Sequence, residues 1–469
     1  MSADRAEPGG QEPCPREDHG RLTHGAQQRL RPGKLSRREV REHQRRRLQA
    51  ALLALIAEGG YETVTARSLC ARAGVSTRTL YELYGGKERL FLALHAALAE
   101  RAARRAEAAW ARNPRWPEGL RLILEDWLAD IAANPLPARA ILLEPYAVGG
   151  QALAALAAVQ GRFVALLARS LREDPLGRTL PPVLAEALQA GIARVITAAI
   201  ARGATGSLPA LRDPLCSWAA SYLHPEAALL AALQREDLGP GAAPQRWQPP
   251  ASERERLLAA TISLAGSGGY RSLSVAAICN AAGLPQGAFN RNFADVEECF
   301  LAAYEQVALR ALLVASAAAR QAAGWQGALH RASLALARHF AREQAEARLA
   351  FIEVLAAGRA GLEARERVLE PLGGLLGRLI PQKRRPSEVV LEATLGAVWG
   401  LAQGRLAAGR AGELTALVPF FSYLALAPVL GAKDALAAIR AEHGALRAQQ
   451  LLPEPQGGQT RADGRGSRA

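Results

Sequence analysis

The sequence is poor in the residues and patterns that carry most enzyme chemistry. Its five cysteines, Cys14, Cys70, Cys216, Cys279 and Cys299, are odd in number and form no CxxC pair. That excludes a disulfide framework and a cysteine zinc site, and it fits a reducing cytoplasm, the expected compartment. The eight histidines are scattered, with no HExxH and no close His/Cys/Asp group, so no metal is expected. GxGxxG, the P-loop and GxSxG are all missing, and the glycines of YGGKE are wrongly spaced for a phosphate loop. No cofactor and no catalytic residue is therefore expected, and the chain does not read as an enzyme. No apolar segment opens the chain, so no signal peptide is expected. The most membrane-like run, Leu414–Ala432, is interrupted by Pro419 and Pro428. It reads as a buried or interfacial helix pair, and no membrane partner is expected. Aromatics are only 5% of the chain while alanine, leucine and arginine dominate, which favours an all-α fold.

What is present is apolar bulk and positive charge. The hydrophobic fraction, 49%, is ample for real cores in a chain of 469 residues. The net charge of +14 suits a polyanion partner, most simply nucleic acid. An arginine-rich genome gives the same balance, so the charge supports this reading without carrying it.

The most informative stretch is 73–91, AGVSTRTLYELYGGKERLF. Gly74 sits where a helix stops and the backbone turns, a place that favours positive φ. Ser76 is a good N-cap for a short helix, Thr77 to Tyr84, with Leu80 facing inward. Thr77, Arg78, Thr79 and Tyr81 then point outward, as a helix entering a major groove requires. Gly85 and Gly86 end it. Lys87 opens the next helix, where a cation opposes the dipole unless an anion such as phosphate is near. Upstream, an apolar-periodic helix over about Glu42–Glu58 is followed by a second helix capped by Thr65 and carrying Leu69 and Cys70 inward.

The run V-S-x-x-T-L-Y-x-x-Y-x-x-K-E, with Gly59-Gly60-Tyr61, Thr63-Val64-Thr65, Leu69 and Ala73-Gly74 before it, resembles the signature of the TetR family of bacterial transcription regulators. The resemblance implies a three-helix DNA-binding head followed by a helical ligand-binding and dimerisation body, with two bodies pairing through four helices. It also implies an apolar effector pocket and a shift in head spacing that releases DNA. Residues implied at the DNA are Thr65, Ser76, Thr77, Arg78, Thr79, Tyr81, Tyr84 and Lys87.

The pattern occurs twice. Residues 256–284 repeat 47–75 without a gap, Tyr270 lying 209 positions after Tyr61. The register persists through Trp116/Trp325, Glu144/Glu353 and Gly149/Gly358, then becomes 206 at Glu186/Glu392 and Gly203/Gly409. A register that runs through head and body marks a whole duplicated unit. The expected organisation is a disordered tail (1–34), first head (35–105), first body (106–237), linker (238–251), second head (252–314), second body (315–452) and a polar tail (453–469). Basic residues crowd from Arg29 to Arg47, including Arg31, Lys34, Arg37, Arg38, Arg41, Arg45 and Arg46, either as an arm along DNA or as a solubilising tail.

The second head departs from the first. Asn290 replaces Tyr81 and Val296 replaces Lys87, although Gln286, Asn290 and Arg291 could still touch DNA. Either its preference has changed or it is kept for architecture. Trp127, Glu144, Tyr146, Trp218 and Tyr222 in the first body, and His330, His339, Phe351, Glu353 and Trp399 in the second, are candidates to line effector cavities or to be plain core. The late helices of each body are candidates for pairing. The expected partners are thus double-stranded DNA and a small apolar effector, with an intramolecular pseudo-dimer that further dimerisation could extend. A ligand-sequestering or protein-interaction module is the alternative.

Overall fold

The computed structural model describes residues 36–451 apart from 176, 240 and 242–251. The two expected tails, the arm cations Arg29, Arg31 and Lys34, and most of the linker lie outside the described residues. Among the described residues there are helices and turns and no strand.

In the first head, α1 (Arg37–Gly59), α2 (Ala66–Ala73) and α3 (Thr77–Tyr84) enclose a small core of Leu48, Leu52, Ile56, Leu69 and Leu80, closed by Leu90 and Phe91. α1 begins earlier than the expected Glu42, because Ser36 and Glu39 form a reciprocal capping box. Arg37, Arg38, Arg41 and Arg45–Arg47 are therefore helical, not an extended arm. Gly74 ends α2 at φ 60°, in the left-handed region that glycine takes without cost. The long α4 (Lys87–Arg112) leads into the body, α5 (Glu118–Ala133), α6 (Pro135–Leu142), α7 (Glu144–Val148), α8 (Gly150–Glu173), α9 (Val183–Ala201), α10 (Arg212–Ala220) and α11 (Leu229–Arg235).

The second copy repeats this order. Its head is α12 (Glu253–Gly268), α13 (Val275–Ala282) and α14 (Gln286–Asn292). Its body is α15 (Val296–Ala319), α16 (Trp325–Arg342), α17 (Gln344–Arg348), α18 (Val354–Ala356), α19 (Gly358–Leu379), α20 (Glu388–Ala407), α21 (Val418–Leu430) and α22 (Ala432–Leu451). The expected helix pair over Leu414–Ala432 is instead the single 13-residue α21. Pro419 lies in its first turn, where a missing N–H is harmless, and Pro428 lies too near its end to break it. Three other helices, α8, α9 and α15, have the length and apolar composition to cross a membrane, and α9 is mostly buried inside the protein.

The copies meet along α9 and α20. Small residues let the axes approach: a Cβ at Gly191 would stand 2.6 Å from the Ala393 carbonyl, and Gly396 and Gly400 lie against Arg194 and Ala190. Trp218 Nε1 donates to Thr394 Oγ1 at 3.1 Å, and Tyr222 Oη donates to the Leu424 carbonyl at 3.0 Å. Glu186 and Glu392, equivalent residues, each find cations of the other copy, Arg405 at 3.0 Å and Arg194 and Arg202 at 3.4 Å.

Each head is tied to its body by the same strut. Glu144 Oε2 accepts the Tyr61 N–H at 2.8 Å while Arg139 holds its other oxygen at 2.7 Å. In the second copy Glu353 accepts from Tyr270 N–H at 2.9 Å and pairs with Arg348 at 2.8 Å. Each head also touches the opposite body. Glu62 accepts the Arg359 N–H at 3.4 Å at the start of α19, and the Arg271 guanidinium lies over Gly149.

Candidate nucleic-acid interface and effector cavity

The first head presents one polar, cationic face. Ser76 caps α3, accepting the Thr79 N–H at 3.1 Å, and Thr65 caps α2 through Ser68. These caps fix where α2 and α3 start. Thr77, Arg78 and Tyr81 are exposed, Tyr81 by 57%, which is unusual for so large a ring. Arg78 Nε rests on Glu82 at 2.7 Å, an exposed pair of the kind that exchanges cheaply for another acceptor. Tyr84 is half-buried and its hydroxyl contacts Gln49 Nε2 at 3.4 Å.

Lys87 has internal partners that its sequence position does not show. Its Nζ donates to the Val64 carbonyl at 2.7 Å and lies 4.6 Å over the Tyr61 ring. Burial, with help from Glu88, pushes the Tyr61 phenol up to about 12, so that ring stays neutral beneath the cation. An ammonium at this helix start is thus explained by the fold, without a phosphate.

Three further cations on the first head, Arg67, Arg72 and Arg89, are exposed and are not among the expected contacts; Arg72 is paired with Glu58 at 2.6 Å. A comparison of the two copies reveals them. At Arg67, Arg72, Arg78, Lys87 and Arg89 the second copy has Ala276, Ala281, Gly287, Val296 and Glu298. Five cations become four neutral residues and one acid. Of the second head's expected contacts, Gln286 and Asn290 are exposed, and Arg291 is held by both Glu253 oxygens at 3.0 Å. Asp295 caps α15, with Glu297 and Glu298 beside it, so this corner is acidic.

The cavity candidates scatter. Trp399 and Phe351 pack together, ring centroids 4.2 Å apart, in the wall of a cavity of about 570 Å³ inside the second body. That volume is in the range of small-molecule sites, about 300–1,000 Å³. Trp127 borders a void of only about 30 Å³ in the first body and stacks on Phe163 at 5.1 Å. The others do not line either space. Glu144 and Glu353 form the head–body struts. Tyr146 is half-buried beneath the Arg365 guanidinium, and Trp218 and Tyr222 sit on the contact between copies. His330 is buried against Ser422 Oγ at 2.8 Å, and burial, helped by His443 and Arg331, brings its pKa down to about 3. His339 meets Glu346 at 2.9 Å, a carboxylate that Arg310 also holds. Among the described residues no group of His, Cys, Asp and Glu is arranged to hold a metal.

The two copies are all-α units, each headed by a helix-turn-helix, joined end to end. Residues 48–94 and 257–303 both match the family model described as bacterial regulatory proteins, tetR family. The chain thus carries two heads of the tetR type, one in each copy. It is 34% identical over 97 residues to the HTH-type transcriptional repressor KstR of Rhodococcus jostii (strain RHA1). That match spans 21% of this chain and 45% of the relative, less than half its length. Two solved structures are also similar. The fatty acid degradation regulator FadR of Bacillus halodurans is 19% identical, with 37% of this chain and 96% of that one covered and a TM-score of 0.34. A TetR family transcription regulator of Marinobacter aquaeolei VT8 is 21% identical, with 38% and 96% covered and a TM-score of 0.32.

Proposed function

We propose that the chain is a repressor that acts as a single-chain pseudo-dimer, holding double-stranded DNA through its first head and releasing it when an apolar effector enters a body. The observation that carries this reading is the asymmetry of the heads. Arg67, Arg78 and Arg89 are exposed on the first head, and at their positions the second head has Ala276, Gly287 and Glu298. Phosphate contacts supply most non-specific affinity and set register on the duplex, so a head that lacks these three cations, and whose Arg291 is paired with Glu253, gives less of either. The second head then serves as architecture, through its strut to Glu353 and its contact with the first body. The printed name of the Rhodococcus relative, a repressor, supports the direction of regulation. Domain limits follow the same reading, with heads at 35–105 and 252–314 and bodies at 106–237 and 315–452.

The test is DNA affinity against salt, on a fragment selected from genomic DNA. Each of Arg67→Ala and Arg89→Ala is expected to lower the slope of log K against log salt by about one. Asn290→Ala and Gln286→Ala are expected to leave affinity and slope unchanged. Equal losses from both heads would show that both hold DNA. No salt-dependent binding by the full chain would favour the sequestering or protein-interaction alternative.

A further inference from the structure

The large cavity and the small void are the same site in two states of filling. Ten side chains surround the void in the first body. With the 209 and 206 registers, the equivalent of every one of them lines the cavity in the second. The difference is bulk. Trp110, Trp127 and Phe163 of the first copy correspond to Ala319, Leu336 and Leu372, all three in the cavity wall. In the first body Trp127 stacks on Phe163 at 5.1 Å, and the Arg169 guanidinium covers Trp110 at 3.8 Å. Those rings occupy the space that is open in the second body. The second copy's own tryptophan, Trp399, does not refill it, because it lies against Phe351.

The cavity's chemistry is equally one-sided. Its walls are chiefly alanine, leucine and valine side chains, and no carboxylate lines it. Tyr304 Oη and Trp399 Nε1 are buried on its walls with no hydrogen-bond partner among the described residues. From Tyr304 the cavity follows α15 to Arg320, sixteen residues on, which is about 24 Å of helix. Arg320 and Arg378 are exposed at that end, and neither makes an ion pair with a described acid. Arg378 is the equivalent of Arg169, whose guanidinium is occupied by Trp110 in the first copy.

We propose that the chain binds one effector, in the second body alone, and that this effector is a long aliphatic chain ending in an anion, with its tail in the alanine- and leucine-lined cavity and its anion at Arg320 and Arg378. The first body carries its own filling in Trp110, Trp127 and Phe163. This inference rests on the reading of the bodies as the effector-binding half of a regulator.

Titration calorimetry of the full chain with palmitate, hexadecyl phosphate and hexadecanol tests it. Palmitate or hexadecyl phosphate is expected to bind at one per chain, at least tenfold tighter than hexadecanol. A preference between the two anions identifies the head group. The triple variant Ala319→Trp, Leu336→Trp, Leu372→Phe is expected to lose binding, and Ala319→Trp alone, a milder change at the mouth, to weaken it at least tenfold. Arg320→Ala with Arg378→Ala is expected to bring palmitate and hexadecanol within threefold of each other. Trp110→Ala, Trp127→Leu, Phe163→Leu is expected to raise the stoichiometry to two. Two sites in the unaltered chain, or unchanged binding by Ala319→Trp with an unaltered melting temperature, overturns the location. Equal affinity for palmitate and hexadecanol overturns the anionic end. Measuring DNA affinity alongside separates the two readings: one-per-chain palmitate binding with unchanged DNA affinity supports this site and counts against effector-driven release.

Discussion

Arg78 and His330 are both basic, and their surroundings give them opposite work. Arg78 projects from the exposed start of α3 with only Glu82 beside it. Its two parallel donors suit a guanine edge, so Arg78→Ala is expected to cost about 1–3 kcal/mol at one half-site and to relax preference there. Binding to a panel of single-base operator variants checks this, and a uniform loss across the panel would place Arg78 on the backbone instead. His330 is sealed in the second body with Ser422 as its partner. Its folded pKa, about 3, lies below the ordinary 6.5, so the unfolded chain takes up the proton first in acid. Its contribution is whole above about 6.5 and is lost as pH falls toward 3, by about 1.4 kcal/mol per pH unit. His330→Gln keeps a partner for Ser422 and is expected to flatten the fall in melting temperature between pH 6.5 and 4.5. An identical pH profile would show that the histidine titrates freely.

At the scale of elements, α19 links the two sites. Its later turns, with Val368, Leu372 and Leu376, form cavity wall, and its first residues meet Glu62 of the first head. A helix that bears on both places can pass a shift at one to the other, and Pro371 inside it marks where it would bend. Glu62→Ala is expected to leave palmitate affinity unchanged and to reduce the effect of palmitate on DNA affinity. An undiminished effect would route the coupling through the Glu353 strut. The crossing of α9 and α20 is the other decisive element. Its glycines leave no room for a branched side chain, so Gly396→Leu is expected to cost at least about 1–3 kcal/mol, read as a lower denaturant midpoint. A midpoint unchanged by this substitution would show that the contact is loose.

For the whole molecule, α9 of the first body and α20 of the second pack against each other within one chain. Light scattering is expected to give the mass of one chain, 49.8 kDa, at micromolar concentration. An obligate dimer at nanomolar concentration would show that α9 and α20 pair between chains. The two heads differ in their cations, so the two half-sites of the recovered operator are not expected to form a perfect palindrome.

The sequence by itself determined the duplication, the all-α class and the limits of the reading helix. These are short-range matters: Ser76, Gly74 and Gly85 act on backbone within a turn of themselves, and a repeat is visible in one dimension. It also held the loss of five cations from the second head, legible once the copies were laid in register. Tertiary structure decided the rest. Glu144 and Glu353 look like pocket acids until Tyr61 and Tyr270, 83 residues away, are seen to donate to them. Lys87 looks like a free phosphate contact until the Val64 carbonyl and the Tyr61 ring are seen beneath it. Whether a body holds a cavity depends on side-chain volumes arriving from four helices at one point. Trp110, Trp127 and Phe163 close that point in the first copy because they converge, and convergence is a property of packing that no single segment carries.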